Sequence, residues 1–309
     1  MKPLAKTCKV ALVQAAPVLF DKAATVDKAV QKILEAGKNG AQLIVFPESF
    51  IPCYPYGMTF GFTVGSRTED GRRDWKRYYD NCVQVPSADT EKLAKAAAQA
   101  GSYVSIGVTE RDGANATLYC TNLIFSPAGK LAAKHRKLKP TGAERYIWGD
   151  GNEGAFPMVD TPWGPMGSLI CWENYMPLAR QALYDRGVSL YLAPNTNNND
   201  EWQTTIRHIA VEGHCYVLNC NMVVTKYQYP KDLHCPEELA ALPANVLTGG
   251  SCVVDPYGHY LSKPVWNEET IVYEELEMDK VPMSRMEFDV AGHYTRPDVL
   301  ELLVHEFDR

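Results

Sequence analysis

Short apolar runs and longer amphipathic stretches alternate along this chain. The apolar runs are CKVALVQAA (8–16), AQLIVFP (41–47), YVSIGVTE (103–110), LYCTNLIFS (118–126), MGSLIC (166–171), VSLYLAP (188–194), CYVLNCNMV (215–223), GGSCVVD (249–255) and ETIVYEEL (269–276). Their length and their content of Val, Ile, Leu and aromatic residues predict β-strands. Between several of them lie TVDKAVQKILEAGKNG (25–40), DTEKLAKAAAQAG (89–101), MPLARQALYDRG (176–187) and DEWQTTIRHIAVEG (200–213), which predict helices. Each of these finishes on Gly, the residue that most readily closes a helix.

Strands alternating with helices define an α/β protein. The stretches LIVF and LYLA are continuous rather than alternating, which predicts strands covered on both faces. LIVFPES and LYLAPNT both read as a strand followed by Pro and polar residues, while LIFSPAGKLAAK and CVVDPYGHYLSK both read as strand, Pro-x-Gly turn, strand. This internal echo predicts two β-layers covered by helices within one domain, residues 1–309. No linker, low-complexity tract or charge block marks a second one.

Composition narrows the function classes. The 309 residues are 46% hydrophobic, enough for a large core, and carry a formal charge of −6. That balance gives no electrostatic reason to expect nucleic acid or an anionic membrane as partner. No apolar stretch approaches the roughly 20 residues of a membrane-spanning helix. The opening MKPLAKTCKVALVQAAPVLF could be taken for a secretory signal, but Gln14 and Pro17 interrupt its apolar run and a first strand is the preferred reading. Nine scattered cysteines without a C-x-x-C pair argue against a disulfide framework or zinc site and favour a reducing, cytoplasmic compartment.

Two apparent motifs fail their structural tests. Gly149-Asp150-Gly151-Asn152-Glu153-Gly154 matches G-x-G-x-x-G, but AFPMVDTPWG follows where a phosphate-binding helix should begin. His208 and His214, six apart, do not share a helix face as an i, i+4 metal pair does. His135, in KHRKLK, reads as structural. Neither a metal nor another cofactor is expected.

Four residues carry candidate chemistry. GSLIC is a strand ending at Cys171, and WENYMPLARQALYD is compatible with helix from there on. A thiol facing a helix start feels unsatisfied N–H groups, which can depress its pKa and supply a nucleophilic thiolate; the alternative is a small buried hydrophobe. Glu48 emerges from LIVFPE, either as a shifted general base or as a solvated carboxylate at a loop start. Lys137 ends AAKHRK, where a desolvated ammonium could stabilise developing negative charge or a solvated strand edge could simply end. Glu144, seven residues on, could balance that lysine.

Taken together, VFPESFIPCYPYG, HRKLKPTGAERYIWGDG, GSLICWENYMPLAR, IRHIAVEG and DVAGHYTRPD resemble the nitrilase superfamily, in its nitrile-hydrolysing branch, over nearly the whole chain. The resemblance implies a Glu-Lys-Cys triad at Glu48, Lys137 and Cys171, with Glu144 as the family's second glutamate. It also implies a four-layer αββα sandwich and homodimers that stack helices on helices, often extended into spirals, with residues 280–309 as an extension used in dimer contacts. The expected reaction turns a small organic nitrile into carboxylic acid and ammonia through a thioimidate and a thioester, with Lys137 and the Trp172 backbone N–H stabilising charge. The alternatives are a cyanide dihydratase or hydratase, or an aliphatic amidase with the same triad; a catalytically silent scaffold is the rival of another class. Tyr54, Trp148 and Asn195 are pocket candidates, each aromatic equally readable as core packing. Cys53, where a small residue is commoner, and the asparagine run in APNTNNND depart from the family pattern; both segments follow a strand at or beside the site and are expected to line the pocket and bear on substrate choice.

Overall fold

A computed structural model describes residues 4–151 and 156–305. The second half of the rejected glycine motif, Asn152 to Gly154, lies outside the described residues. The first sheet runs in the order β13 (Thr270–Glu277), β1 (Thr7–Gln14), β2 (Leu43–Val45), β3 (Tyr103–Arg111), β4 (Leu118–Phe125) and β5 (Leu131–Arg136). The second runs β10 (Val223–Thr225), β11 (Asn245–Val254), β9 (Tyr216–Cys220), β8 (Leu190–Pro194), β7 (Gly164–Ser168) and β6 (Val159–Thr161), with β12 (Tyr260–Trp266) also paired to β11. Each sheet has three parallel strands at its centre, β1-β2-β3 and β7-β8-β9, flanked by antiparallel neighbours. This is the two-halved layout that the sequence echo predicts, and both Pro-x-Gly hairpins form, as β4-β5 and β11-β12.

The layers follow from the alternation of side chains along each strand. On β1, Ala11 and Val13 pack among Val26, Ala29 and Ile33 of α1 (Lys22–Lys38) and Leu93, Ala96 and Ala97 of α3 (Ala88–Ala100). Val10 and Leu12 point the other way, meeting Leu190 and Leu192 of β8 and Leu218 of β9 between the sheets. Tyr191 and Ala193 on the far side of β8 are covered by Leu183 of α4 (Pro177–Tyr184) and by Ile206, Ile209 and Ala210 of α5 (Asp200–Gly213). The stack is therefore helix, sheet, sheet, helix, and both central strands are buried on both faces, as their continuous apolar runs require.

Local signals set the helix ends. Asp21 caps α1 by accepting from Ala24 N–H, Ser87 and Thr90 form a reciprocal capping box at α3, and Asn199 caps α5 by accepting from Trp202 N–H. A further helix, α2 (Glu69–Asp80), escapes the hydrophobic pattern because EDGRRDWKRYYD is polar nearly all round and buries only Gly71, Asp74 and Tyr78. Two short helices complete the set, α6 (Glu237–Ala240) and α7 (Lys280–Arg285). Beyond α7 the described chain to residue 305 has no regular element and exposes Tyr294, Val299, Leu300 and Leu303.

One expectation is corrected at the key strand end. β7 stops at Ser168, and Cys171 opens a separate 3₁₀ turn, Cys171–Tyr175, rather than a continuous helix. Pro177 explains the break: it forces Met176 into extended backbone (φ −86°, ψ 105°), so α4 starts afresh with proline in its first turn.

Candidate active site

Three strand ends converge at one edge of the sandwich. Glu48 lies just past β2, on a segment that runs along β3: Phe46 N–H donates to Ser105 O (2.8 Å), Gly107 N–H to Pro47 O (3.1 Å) and Ile51 N–H to Gly107 O (3.2 Å). Only glycine permits this contact, because a Cβ on Gly107 would strike the Pro47 carbonyl oxygen and stand 2.7 Å from the Glu48 carbonyl carbon. Gly107→Ala is accordingly expected to cost about 1–3 kcal/mol by overpacking and to displace Glu48, lowering kcat more than it raises KM. Urea unfolding together with steady-state kinetics checks both parts.

Lys137 follows β5 directly, its N–H donating to Cys120 O (2.8 Å). Its Nζ donates to Glu48 Oε1 and to Glu144 Oε2, both at 2.8 Å, with the Lys137 and Glu48 side chains sealed from solvent. Glu144 is fixed in turn by Tyr54, whose hydroxyl donates to Oε1 (2.8 Å), and by Thr141 N–H on Oε2 (2.7 Å). Glu48 also accepts from Thr196 Oγ1 (3.4 Å) and from the Cys120 thiol (3.5 Å). The solvated readings of Glu48 and Lys137 are thereby overturned; each is about 1% exposed.

Cys171 holds a left-handed backbone, φ +49°, unusual for a residue with a side chain and characteristic of strained functional turns. Its carbonyl accepts from Asn174 Nδ2 (2.7 Å), which also donates to Leu169 O (3.0 Å). Glu173 links this turn to the Lys137 segment: Ile170 N–H donates to one oxygen and Leu138 N–H to the other, both at 2.6 Å, and His135 Nε2 lies 3.0 Å from each. Burial opposes the Glu173 charge, but His135 and the two backbone N–H groups prevail and hold its pKa below the ordinary 4.5.

That depression has a signed consequence. A carboxyl that ionises more readily when folded stabilises the protein above its unfolded value, near pH 4.5, and loses that contribution as pH falls through the folded value. Glu173→Gln cannot accept from both N–H groups, so it should cost about 1–3 kcal/mol at pH 7. The gap from the wild type should narrow below pH 4.5. Denaturant titrations at pH 7 and pH 4 read the difference.

The electrostatics of the thiol reverse a second expectation. Burial pushes the Cys171 thiol well above its ordinary range, and the nearby Glu48 and Glu144 carboxylates push it the same way, against Lys137 and a hydrogen bond from Asn197. Burial also raises Glu48. It works against the Lys137 charge, yet Glu48 and the other acidic groups around it keep this ammonium well above its usual value. The resting arrangement is a thiol beside a lysinium clamped between carboxyl groups.

Above these groups opens a cavity of about 330 Å³ whose walls include Tyr54, Tyr56, Glu144, Cys171, Trp172 and Asn197. Of the residues singled out in the sequence, Tyr54 and Trp172 line this cavity. Trp148 lies behind the wall, buried, its ring 5.5 Å edge-on to Tyr54. Asn195 is wholly buried and does not face the cavity; it donates to Asn219 Oδ1 (2.6 Å) and accepts from Asn197 N–H (2.9 Å). Cys53 likewise sits in the apolar cluster below, its thiol pushed up to about 12 by burial.

The asparagine run is a built turn. Asn198 bridges to β11, donating to Val246 O and accepting from Thr248 N–H, both 3.2 Å, and Asn199 is the α5 cap. Thr196 and Asn197, which contact Glu48 and Cys171, belong to the asparagine run expected at the pocket, though the sequence assigns neither a contact; Cys120, which contacts Glu48, has no role in the sequence reading. The run itself was the available signal for the first two; Cys120 sits unmarked in an apolar strand. Among the described residues no group of three or more His, Cys, Asp or Glu side chains could hold a metal ion, and no helix is long and apolar enough to cross a membrane.

Known proteins resemble the chain in sequence and fold. The carbon-nitrogen hydrolase family profile matches residues 9–285. The chain is 48% identical to an aliphatic nitrilase from Sinorhizobium fredii, over 96% of both chains. It is 41% identical to the bifunctional nitrilase/nitrile hydratase NIT4B of Nicotiana tabacum, over 97% of this chain and 86% of the relative. Among solved structures, yeast Nit3, a member of branch 10 of the nitrilase superfamily, superposes with a TM-score of 0.74 at 25% identity, covering 95% of this chain and 98% of its own.

Proposed function

The chain belongs to the carbon-nitrogen hydrolase family, and from that premise we propose a nitrilase that converts a small organic nitrile into its carboxylic acid and ammonia, with Cys171 as nucleophile. The observation that carries the assignment of roles is the Lys137 ammonium bridging Glu48 and Glu144 beside a strained, cavity-facing thiol. A nitrile carbon is a weak electrophile without a leaving group, so a sulfur nucleophile must add to it. Glu48 takes the Cys171 proton as the S–C bond forms and passes it to the nitrile nitrogen, giving a thioimidate. Burial and the neighbouring carboxylates disfavour a free thiolate, and the reading accordingly joins proton transfer to Glu48 and sulfur attack in one event.

Glu48 then activates a water that adds to the thioimidate carbon. Proton transfer to nitrogen expels ammonia and leaves a thioester, and a second water releases the acid and restores the thiol. Lys137 and the Trp172 N–H, at the start of a turn that offers it no acceptor, stabilise the charge formed at each addition. Glu144 holds Lys137 in place. A homodimer or larger assembly using residues 280–309 belongs to the same reading, supported by the exposed Met283, Met286, Val299 and Leu300; so does a reducing compartment, supported by nine free, buried cysteines.

The test is a set of matched nitriles and amides. The reading expects kcat/KM for each nitrile to exceed that for its amide, with ammonia and acid as products. Faster amide cleavage would make the enzyme an amidase, and turnover confined to cyanide would make it a cyanide-degrading enzyme.

A further inference from the structure

Among the described residues, Asn197 is the cavity-facing side chain that hydrogen-bonds the Cys171 sulfur, and its orientation is fixed by chemistry. The Trp172 indole N–H, which can only donate, points at Asn197 Oδ1 (2.9 Å). The other branch of the amide is therefore the NH2 group, and it stands 3.4 Å from Cys171 Sγ. The backbone is pinned as well: Asn197 N–H donates to Asn195 Oδ1 (2.9 Å), and Asn197 O accepts from Asn221 Nδ2 (2.6 Å). Three hydrogen bonds thus aim one amide donor at one sulfur.

We propose that Asn197 is a catalytic residue, the donor that holds negative charge on Cys171 sulfur as it forms, and that the Trp172 indole is a positioning residue acting through it. The proposal rests on the reading of Cys171 as nucleophile. An amide N–H donates weakly to a neutral thiol and much more strongly to a thiolate, so the contact favours the attacking state over the resting one. The surroundings make such a donor necessary. Glu48 and Glu144 oppose charge on this sulfur, and Lys137, which favours it, is shared between those two carboxylates; the Tyr54 hydroxyl, also nearby, is committed to Glu144. The same logic explains asparagine rather than aspartate at this position: a carboxylate would keep the indole's bond yet set a third negative charge against the sulfur.

The test uses Asn197→Leu, Asn197→Asp, Trp172→Phe and the double variant Asn197→Leu/Trp172→Phe. Two readouts are taken at fixed pH: the second-order rate of Cys171 alkylation by iodoacetamide, mapped by peptide mass, and kcat and KM with a nitrile. The expected result for Asn197→Leu is a loss of about 10-fold or more in both alkylation rate and kcat, the scale of one hydrogen bond to a charged group, with KM within about two-fold. Asn197→Asp should be slower still, although it matches the native size. Trp172→Phe should lose less, and should add nothing in the Asn197→Leu background, because its indole acts through Asn197.

Alkylation of Asn197→Leu within two-fold of wild type would overturn the proposal. So would a raised KM with kcat retained, which would make Asn197 a wall of the substrate site. Multiplying effects in the double variant would overturn the indole's positioning role. Failure of the wild type to turn over any nitrile is a separate result: it would remove the activity reading, while the alkylation series would still decide the hydrogen bond.

Discussion

Changing Cys171 to alanine is expected to lower nitrile turnover by about 10⁶-fold, the scale of removing a nucleophile that acts as one unit with its base, while the protein stays folded. The substitution deletes one sulfur atom, keeps the Cβ that the left-handed backbone already tolerates, and removes only one side-chain hydrogen bond, the weak donation from Asn197. Asn174 and Glu173 continue to hold the turn through backbone atoms that the change leaves alone. Stability should therefore move by less than about 1 kcal/mol, far below the cost of a large core deletion. Circular dichroism and urea unfolding establish the fold; product assays establish the loss. Retained turnover in a folded variant would remove Cys171 from the mechanism.

Lys137→Ala is expected to be severe on both axes. Its Nζ is the shared partner of two carboxyl groups in a region closed to solvent, so its removal leaves them facing each other without a counter-charge. Breaking such a buried pair costs about 3–5 kcal/mol. Part of that cost is avoided if one of the carboxyl groups takes up a proton, and a protonated Glu48 is no longer a base. Loss of the cation that stabilises developing charge would cost a further factor of about 10²–10³ in kcat. The variant should unfold at lower urea concentration, and lowering the pH should narrow its stability deficit as the unpaired carboxylates protonate. Lys137→Met, which keeps the length and apolar stem, should recover packing but not activity. Substantial activity in Lys137→Met would show that the positive charge is not needed.

The legibility of this fold in its sequence varied with the physics of each element. Strands buried on both faces write themselves as continuous apolar runs, so β2 and β8 were plain in LIVF and LYLA, and the helices with one apolar stripe were equally plain. The helix α2 was not, because what it buries includes a glycine and an aspartate: Asp74 accepts from His234 and Cys235 N–H, a tertiary use that leaves no periodic signature. The break between the Cys171 turn and α4 was marked by Pro177 and could have been read from it.

At the site, Glu48, Lys137 and Cys171 stood out as charged or reactive residues at the ends of apolar strands, Glu144 as a possible balance for the lysine, and the family resemblance joined the four. The contacts around them were not legible. Whether a thiol is raised or lowered depends on how deeply it is buried and on charges brought in from other strands, and Cys171 is pushed up by Glu48, which lies 123 residues away along the chain (171 − 48). The polar run after β8 stood out as a departure from the family pattern near the pocket, but its individual contacts did not: Asn197 lies beside Cys171, and Asn198 and Asn199 tie the same turn to β11 and α5. Glu173, within the Cys171 turn itself, gave no sign that it also grips the Lys137 segment.

The most direct test of covalent nitrile hydrolysis is acid-quenched mass spectrometry of the enzyme during turnover of a nitrile. The account predicts a species heavier than the free enzyme by the acyl group of the product acid, mapped to the peptide containing Cys171 and absent from Cys171→Ala. Steady release of ammonia from a nitrile with no adduct on Cys171 at any quench time, together with undiminished turnover by Cys171→Ala, would contradict it.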